Sequence, residues 1–366
     1  MFFYSENKLR LSKNYFYLYF VRAIFYFSLC QIITKNQVNS MFWESLQYSF
    51  GVTLPIIFLM FVGVFLRRRK FVDDAFCHTA SKLVFNFTLP PMLFLNVIKN
   101  PLNFAQEINL ILTGLVGTLI IYLWAEWWAA RNIQTREYRC IFTQGTFRTN
   151  AAILGLALVI NAYGDAGIAP VSLYTAFLVL IFNSLGVVTI LNSLSNEKPN
   201  AMKLLQAVIK NPLILAIIVG MLFNYFEIRI PTPVMKSLQP LAQVTLPLAL
   251  ICIGASIDFK ALYRLKSEDK AEQELNRVVL YSAVIRLVFA PIFLFALGKW
   301  IFQLSPIQLG IIFLTASAPV AAAVYAMTRA YGGNGTGAAN LIGLTTIGSV
   351  ISTNVGLFLL KQVGWI

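Results

Sequence analysis

About ten apolar runs, each long enough to cross a bilayer and separated by short polar connections, decide what this chain can fold into. A hydrocarbon core of about 30 Å takes about 20 apolar residues per helix, and an isolated strand or loop there would leave its backbone groups unpaired. The runs predict helical spans at about 46–66, 75–98, 108–130, 140–162, 168–194, 205–226, 234–257, 278–301, 306–330 and 338–362. With 58% hydrophobic residues and 12% charged, the chain of 366 residues cannot close into one water-soluble core. The expected fold class is an all-α membrane protein of ten transmembrane helices, multi-pass in the cell (inner or plasma) membrane.

The net charge of +14 invites a nucleic-acid reading, but its distribution argues against one. When the connections are assigned alternately to the two sides, sixteen Lys and Arg between Arg67 and Arg329 fall on one side. Only Lys99, Arg229, Lys236, Lys299 and Lys361 fall on the other. That asymmetry places the richer side in the cytoplasm and both ends of the ten-span core outside. Residues 1–40 fit the scheme poorly. Arg22 interrupts their apolar run at a cost of about 2.5–3.5 kcal/mol at a helix centre. They read as an N-terminal extension or an over-long start, with an added signal-anchor helix as the alternative.

The chain also resembles itself. At a shift of 157 positions "PIIFLMFVG" from Pro55 falls on "PLILAIIVG" from Pro212, and "TLPPMLFL" from Thr88 falls on "TLPLALIC" from Thr245. At a shift of 168, "AYGDAG" from Ala162 falls on "AYGGNG" from Ala330. Coincident Pro and Gly are far less cheap than coincident apolar residues. The expected division is therefore 41–195 as a first five-span repeat and 196–366 as a second. Five is odd, so the second half enters the membrane from the opposite side, and inverted repeats with interrupted helices are a carrier architecture. A proline inside a helix removes a backbone hydrogen bond at a cost of about 3 kcal/mol. Pro90, Pro91, Pro247 and Pro319 are thus the expected helix breaks, tolerated where protein or a cavity lies alongside.

The fourth span holds the most polar constellation, "FTQGTFRTNAAILGLALV". Arg148 lies nine residues beyond Arg139, a depth of about 13 Å. Intramembrane arginines usually face a partner or a cavity. Thr149 and Asn150 adjoin it, and at the 168 shift Asn150 falls on Ala318, between Ser317 and Pro319 of the ninth span. These five residues, Arg148, Thr149, Asn150, Ser317 and Pro319, are the expected binding site for an anion. Arg286, about equally deep in the eighth span, reads either as a structural ion-pair partner or as a second anion contact.

The stretches "KLVFNFTLPPMLF", "FRTNAAILGLAL", "NPLILAIIVG", "LPLALICIGAS" and "SAPVAAAVYAMTRAYGGN" resemble the auxin efflux carrier family of membrane transporters, in its bacterial branch, over residues 45–363 or so. The resemblance implies fourth and ninth spans that unwind and cross at prolines, with an asparagine helping to hold a substrate carboxylate. Asn150 stands at that asparagine and Gly155 at the following glycine. Ala157 stands where the family has a proline, whereas Pro319 retains the one in the ninth span. The implied substrates are small organic anions such as auxin, malate or malonate.

Other polar residues read more blandly. His78 is an interfacial residue rather than a proton carrier. Glu126, among Trp124, Trp127 and Trp128, reads as a solvated or Arg-paired carboxylate in an aromatic belt, with titration as the alternative. Cys30, Cys77, Cys140 and Cys252 have no paired spacing and signal neither disulfide nor zinc. Carboxylates within the spans are too few for a sodium site. Neither a catalytic set nor a nucleotide-binding glycine loop is present. The sequence therefore reads as a non-enzymatic secondary permease with no cofactor and no metal. Its expected partners are a small organic anion and the lipid bilayer; a homodimer is left open, and nucleic acid is not expected. An anion channel is the alternative, and an intramembrane enzyme a more distant one.

Overall fold

A computed structural model describes residues 42–99, 104–194, 212–257 and 270–366, and apart from one β-bridge every regular element in them is a helix. The N-terminal extension and the boundary between the expected halves lie outside the described residues. Seven helices are long and apolar enough to cross a membrane: α1 (Phe42–Arg68), α2 (Ala75–Ile98), α3 (Gln106–Asn132), α6 (Asp165–Leu194), α8 (Thr232–Ala255), α9 (Glu272–Ile301) and α12 (Gly335–Gln362). The expected fourth and ninth spans are each two shorter helices: α4 (Arg136–Phe147) with α5 (Ala151–Tyr163), and α10 (Pro306–Ser317) with α11 (Ala323–Ala330). The last short helix is α7 (Pro212–Tyr225).

Burial sorts these elements into an inside and an outside. Every residue from Cys140 to Val159 and from Leu309 to Val320 is buried, so the two broken segments form the centre of the molecule. α1 instead exposes Leu54, Phe58, Phe61 and Phe65, side chains suited to hydrocarbon. Ends are closed locally. Asp73 accepts from the Phe76 N–H at 2.7 Å before α2, Asn334 accepts from Gly337 at 2.8 Å at α12, and Ser305 and Gln308 form a capping box at α10.

The prolines correct the sequence reading. Pro90 and Pro91 do not break α2, which runs on through Leu89–Lys99. A wider π-helical turn at Val84–Thr88 directly precedes them. A proline ring collides with the carbonyl four residues earlier, and the wider turn swings that carbonyl aside. The same device, Ile285–Phe289, precedes Pro291 in α9. Pro247 is no break either. It lies in the first turn of Thr245–Ala255, where its missing N–H is least costly, and the bend in α8 falls at Val244. Only Pro319, of the four, stands at a true interruption.

Two contacts between remote helices depend on glycine. A side chain at Gly63 of α1 would strike the Ile251 carbonyl of α8, and one at Gly254 would strike that of Met60. A side chain at Gly220 of α7 would meet Val97 at 3.1 Å and the Phe94 carbonyl at 3.3 Å on α2. Gly63→Ala should therefore force α1 from α8 and cost about 1–3 kcal/mol. The measurement is the midpoint of thermal unfolding in detergent, with Gly51→Ala, whose new methyl meets nothing within 4 Å, as the unaffected control.

Candidate functional site

The site begins where two helices stop in mid-molecule. After α4 the chain turns extended, with Arg148 at φ −90°, ψ 100° and Asn150 at φ −82°, ψ 52°, before α5 resumes. After α10 it does the same at Ala318, φ −62°, ψ 148°. The extended stretches cross as a minimal antiparallel ladder between Thr149 and Val320. The Asn150 N–H donates to the Pro319 carbonyl at 2.8 Å, and the Ala321 N–H donates to the Arg148 carbonyl at 3.3 Å. The Thr149 hydroxyl donates to the carbonyls of Thr315 at 2.8 Å and Ala318 at 3.1 Å. The fourth-span break thus forms although Ala157 replaces the proline. Pairing with the other break, rather than a missing donor, holds it open.

Four half-helix ends meet at this crossing, and two arginines divide them. Arg286, 1% exposed, donates to the carbonyls of Thr146 at 3.1 Å and Phe147 at 3.2 Å, and to that of Ala316. It thereby caps the negative C-terminal ends of both α4 and α10. The helix termini compensate its charge.

Arg148, 4% exposed, is differently placed. Its guanidinium donates to Asn183 Oδ1 at 2.7 Å, Met327 Sδ at 2.9 Å and Gln144 Oε1 at 3.4 Å, all neutral acceptors. Among the described residues no carboxylate pairs with it. Gly186 of α6 leaves the space that the guanidinium fills, since a side chain there would meet Nη1 at 2.6 Å. A buried cation without a counter-charge is costly.

A cavity of about 270 Å³ opens beside it, lined by Arg148, Thr149, Asn150, Asn183, Asn86 and Phe182 among others. The Asn150 side-chain amide makes no hydrogen bond among the described residues and borders the cavity. Ala152, in the first turn of α5, and Ala321 and Ala323, at the start of α11, also border this space, so two positive helix ends adjoin it. A second cavity of about 390 Å³ flanks the far part of α5, at Ala157 and Asn161, and reaches Asn96, Gln243 and Pro247.

Of the residues expected from sequence, the structure brings Arg148, Thr149 and Asn150 to the first cavity. It keeps the others out. Pro319 supplies a carbonyl to the crossing, Ser317 is buried with its hydroxyl unpartnered, and Arg286 is occupied by the helix ends. Among the described residues Arg286 forms no ion pair, and it does not line this cavity. Asn183 and Gly186, which seat the guanidinium, went unread. The one available signal was an asparagine in the otherwise apolar "FLVLIFNSLGVV" of α6.

Comparison with known proteins follows the same lines. The family model described as "Membrane transport protein" matches residues 48–357. A protein of Rhizobium meliloti named "Putative malonate transporter" is 22% identical over 322 residues, covering 85% of this chain and 96% of its own length. An uncharacterized transporter of Methanothermobacter thermautotrophicus is 23% identical over 215 residues, 57% of this chain and 68% of its own. An uncharacterized transporter of Escherichia coli is 22% identical over 264 residues, 69% and 79% of the two chains.

The two arginines should respond oppositely to neutralisation. Arg286→Met leaves carbonyls of two helix ends unpaired in the core, each at about 1–3 kcal/mol, and should abolish a monodisperse, cooperatively unfolding protein. Arg148→Gln removes an uncompensated charge and should leave the substrate-free protein at least as stable as the parent. Size-exclusion profiles and thermal unfolding of the two variants read out the difference.

Proposed function

This chain belongs to the membrane transport protein family, that of the auxin efflux carriers, and on that premise we propose that it is a secondary carrier moving a small organic anion by alternating access. The observation that carries the proposal is the Arg148 guanidinium, buried against three neutral acceptors beside a cavity. A substrate carboxylate supplies the missing counter-charge. At about 4 Å and an effective dielectric of about 20 the attraction is about 4 kcal/mol before desolvation is subtracted. The free Asn150 amide adds a hydrogen bond, and the helix ends at Ala151 and Ala323 add a positive field.

The ten-span arrangement in two inverted halves is part of the proposal. It is supported by a reciprocity between contacts. At the 157-residue shift Gly63 falls on Gly220 and Phe94 falls on Ile251. The Gly63–Ile251 and Gly220–Phe94 contacts therefore exchange partners, as a two-fold axis between the halves requires. The basic connection expected at 195–204 comes shortly before Pro212 and Leu213 at the edge of the Arg148 cavity, which supports reading that cavity as the cytoplasmic half-path. The cavity at Asn161 and Pro247 is then the opposite half-path. A relative's name makes malonate the first compound to try, and its two carboxylates suit a site with one arginine and two helix ends.

The test is binding and uptake of radiolabelled malonate and related carboxylates with purified protein, in detergent and in proteoliposomes. Asn150→Ala should weaken binding about tenfold and Arg148→Gln about a hundredfold, in line with loss of a neutral and of a charged hydrogen bond. Unchanged affinity in both variants would refute the assignment of this cavity.

A further inference from the structure

A second polar cluster lies in the helices behind Arg148. Glu126 of α3 has one carboxylate oxygen, Oε1, shielded from solvent and without a hydrogen-bond partner among the described residues. Facing the carboxylate are Thr143 of α4 and Thr189 and Asn192 of α6. Thr143 and Thr189 are completely buried, and both hydroxyls also lack a partner. They differ in this from six other helical threonines, although Thr245 and Thr328 likewise lack a partner. Thr53, Thr113, Thr175, Thr315, Thr345 and Thr346 all donate their hydroxyls to a backbone carbonyl four residues earlier. Such back-bonding is the usual refuge of a buried hydroxyl in a helix. A shielded carboxylate oxygen and two buried hydroxyls beside it, none closing a short hydrogen bond, need an explanation, because buried polar groups are ordinarily paired.

The charged and titratable neighbours are few. Tyr122 lies one turn earlier on α3, and Arg139 and Cys140 approach from α4. α6 offers only the neutral Thr189 and Asn192, and none from α9 or α10, which also pack on α3, faces the carboxylate. Glu126 forms no ion pair with Arg139 among the described residues. The Arg-paired reading of Glu126 is therefore set aside.

We propose that Glu126, Thr143 and Thr189 form a proton-binding site linked to the anion cavity. Protonated, the carboxyl donates its O–H to a threonine oxygen; ionised, it accepts from the two hydroxyls. Either state satisfies the cluster, with different bonds to α4 and α6. Those two helices hold the arginine: Thr143 lies five residues before Arg148, and Thr189 three residues after Gly186. A carboxylate charge in these helices opposes the binding of an anion beside the guanidinium. Its removal by a proton strengthens the positive potential in the cavity, so proton and anion bind cooperatively, and each favours the other equally.

This coupling rests on reading the Arg148 cavity as an anion site, so the experiment has an arm that needs no anion. Infrared difference spectra of the full-length protein between acidic and neutral pH, without substrate, should contain a protonated-carboxyl band that Glu126→Gln abolishes. Thr189→Val, which keeps the carboxyl but removes one hydroxyl donor, should move the midpoint of that band to higher pH. It also serves if Glu126→Gln fails to fold. In the second arm, malonate affinity of the parent should tighten as pH falls, while Glu126→Gln keeps the acid-form affinity throughout. A band unaffected by either variant would overturn the proton site, as would sodium-dependent thermal stabilisation that Glu126→Gln removes. A parent that shows the band but binds no carboxylate would uphold the proton site and refute the anion reading and the linkage that depends on it.

Discussion

A single antiparallel β-bridge, where the extended segments at Thr149 and Val320 cross, is the interaction on which the rest of the molecule depends. A helix that stops inside a bilayer exposes donors and acceptors that lipid cannot satisfy. Here each interruption satisfies the other: Asn150 with Pro319, Ala321 with Arg148, and Thr149 with Thr315 and Ala318. Neither break is tenable alone. Their surroundings follow from that need, with an unbroken run of buried residues on both segments and long apolar helices arranged outside them.

The crossing also creates an electrostatic division. Two helices end there with their carbonyls toward the junction, and two begin there with their N–H groups toward it. Arg286 takes up the ends, through Thr146, Phe147 and Ala316. What remains on the other face is positive: two helix beginnings and Arg148, whose partners are an asparagine, a methionine and a glutamine. The molecule thus neutralises one half of its broken dipoles internally, while the other half borders the cavity beside Arg148.

Much of this was legible in the sequence, for physical reasons that can be named. Lipid forces helices, so seven of the apolar runs translate almost directly into helices long enough to cross a membrane, and Arg148 with Asn150 stood out because polar groups are rare at that depth. Proline chemistry was the weak guide. Pro90 and Pro91 suggested a break because a helix with regular turns cannot host them, but a single wider turn can, and no local pattern announces it. At the fourth span the reverse happened, with a break and no proline, because its cause lies on another helix. Arg286 was equally opaque. Its role depends on carbonyls about 140 residues away on α4 and 30 away on α10. Asn183 and Gly186 were hidden for the same reason, as a seat for a side chain is visible only when both sides of it are in place.

The crossing has a consequence for synthesis. The Thr149 hydroxyl and its acceptors are separated by 166 and 169 residues. At a translation rate of about 5–20 residues per second, the carbonyls of Thr315 and Ala318 emerge roughly 8–34 seconds after Thr149 does. For that interval the segment around Arg148 has no backbone partner of its own. It must wait as an unbroken helix or within the insertion machinery. The native centre of the protein can therefore form only once residue 321 has been made, well after the helices that flank the first break, and any truncation short of that residue strands the first half with an open seam.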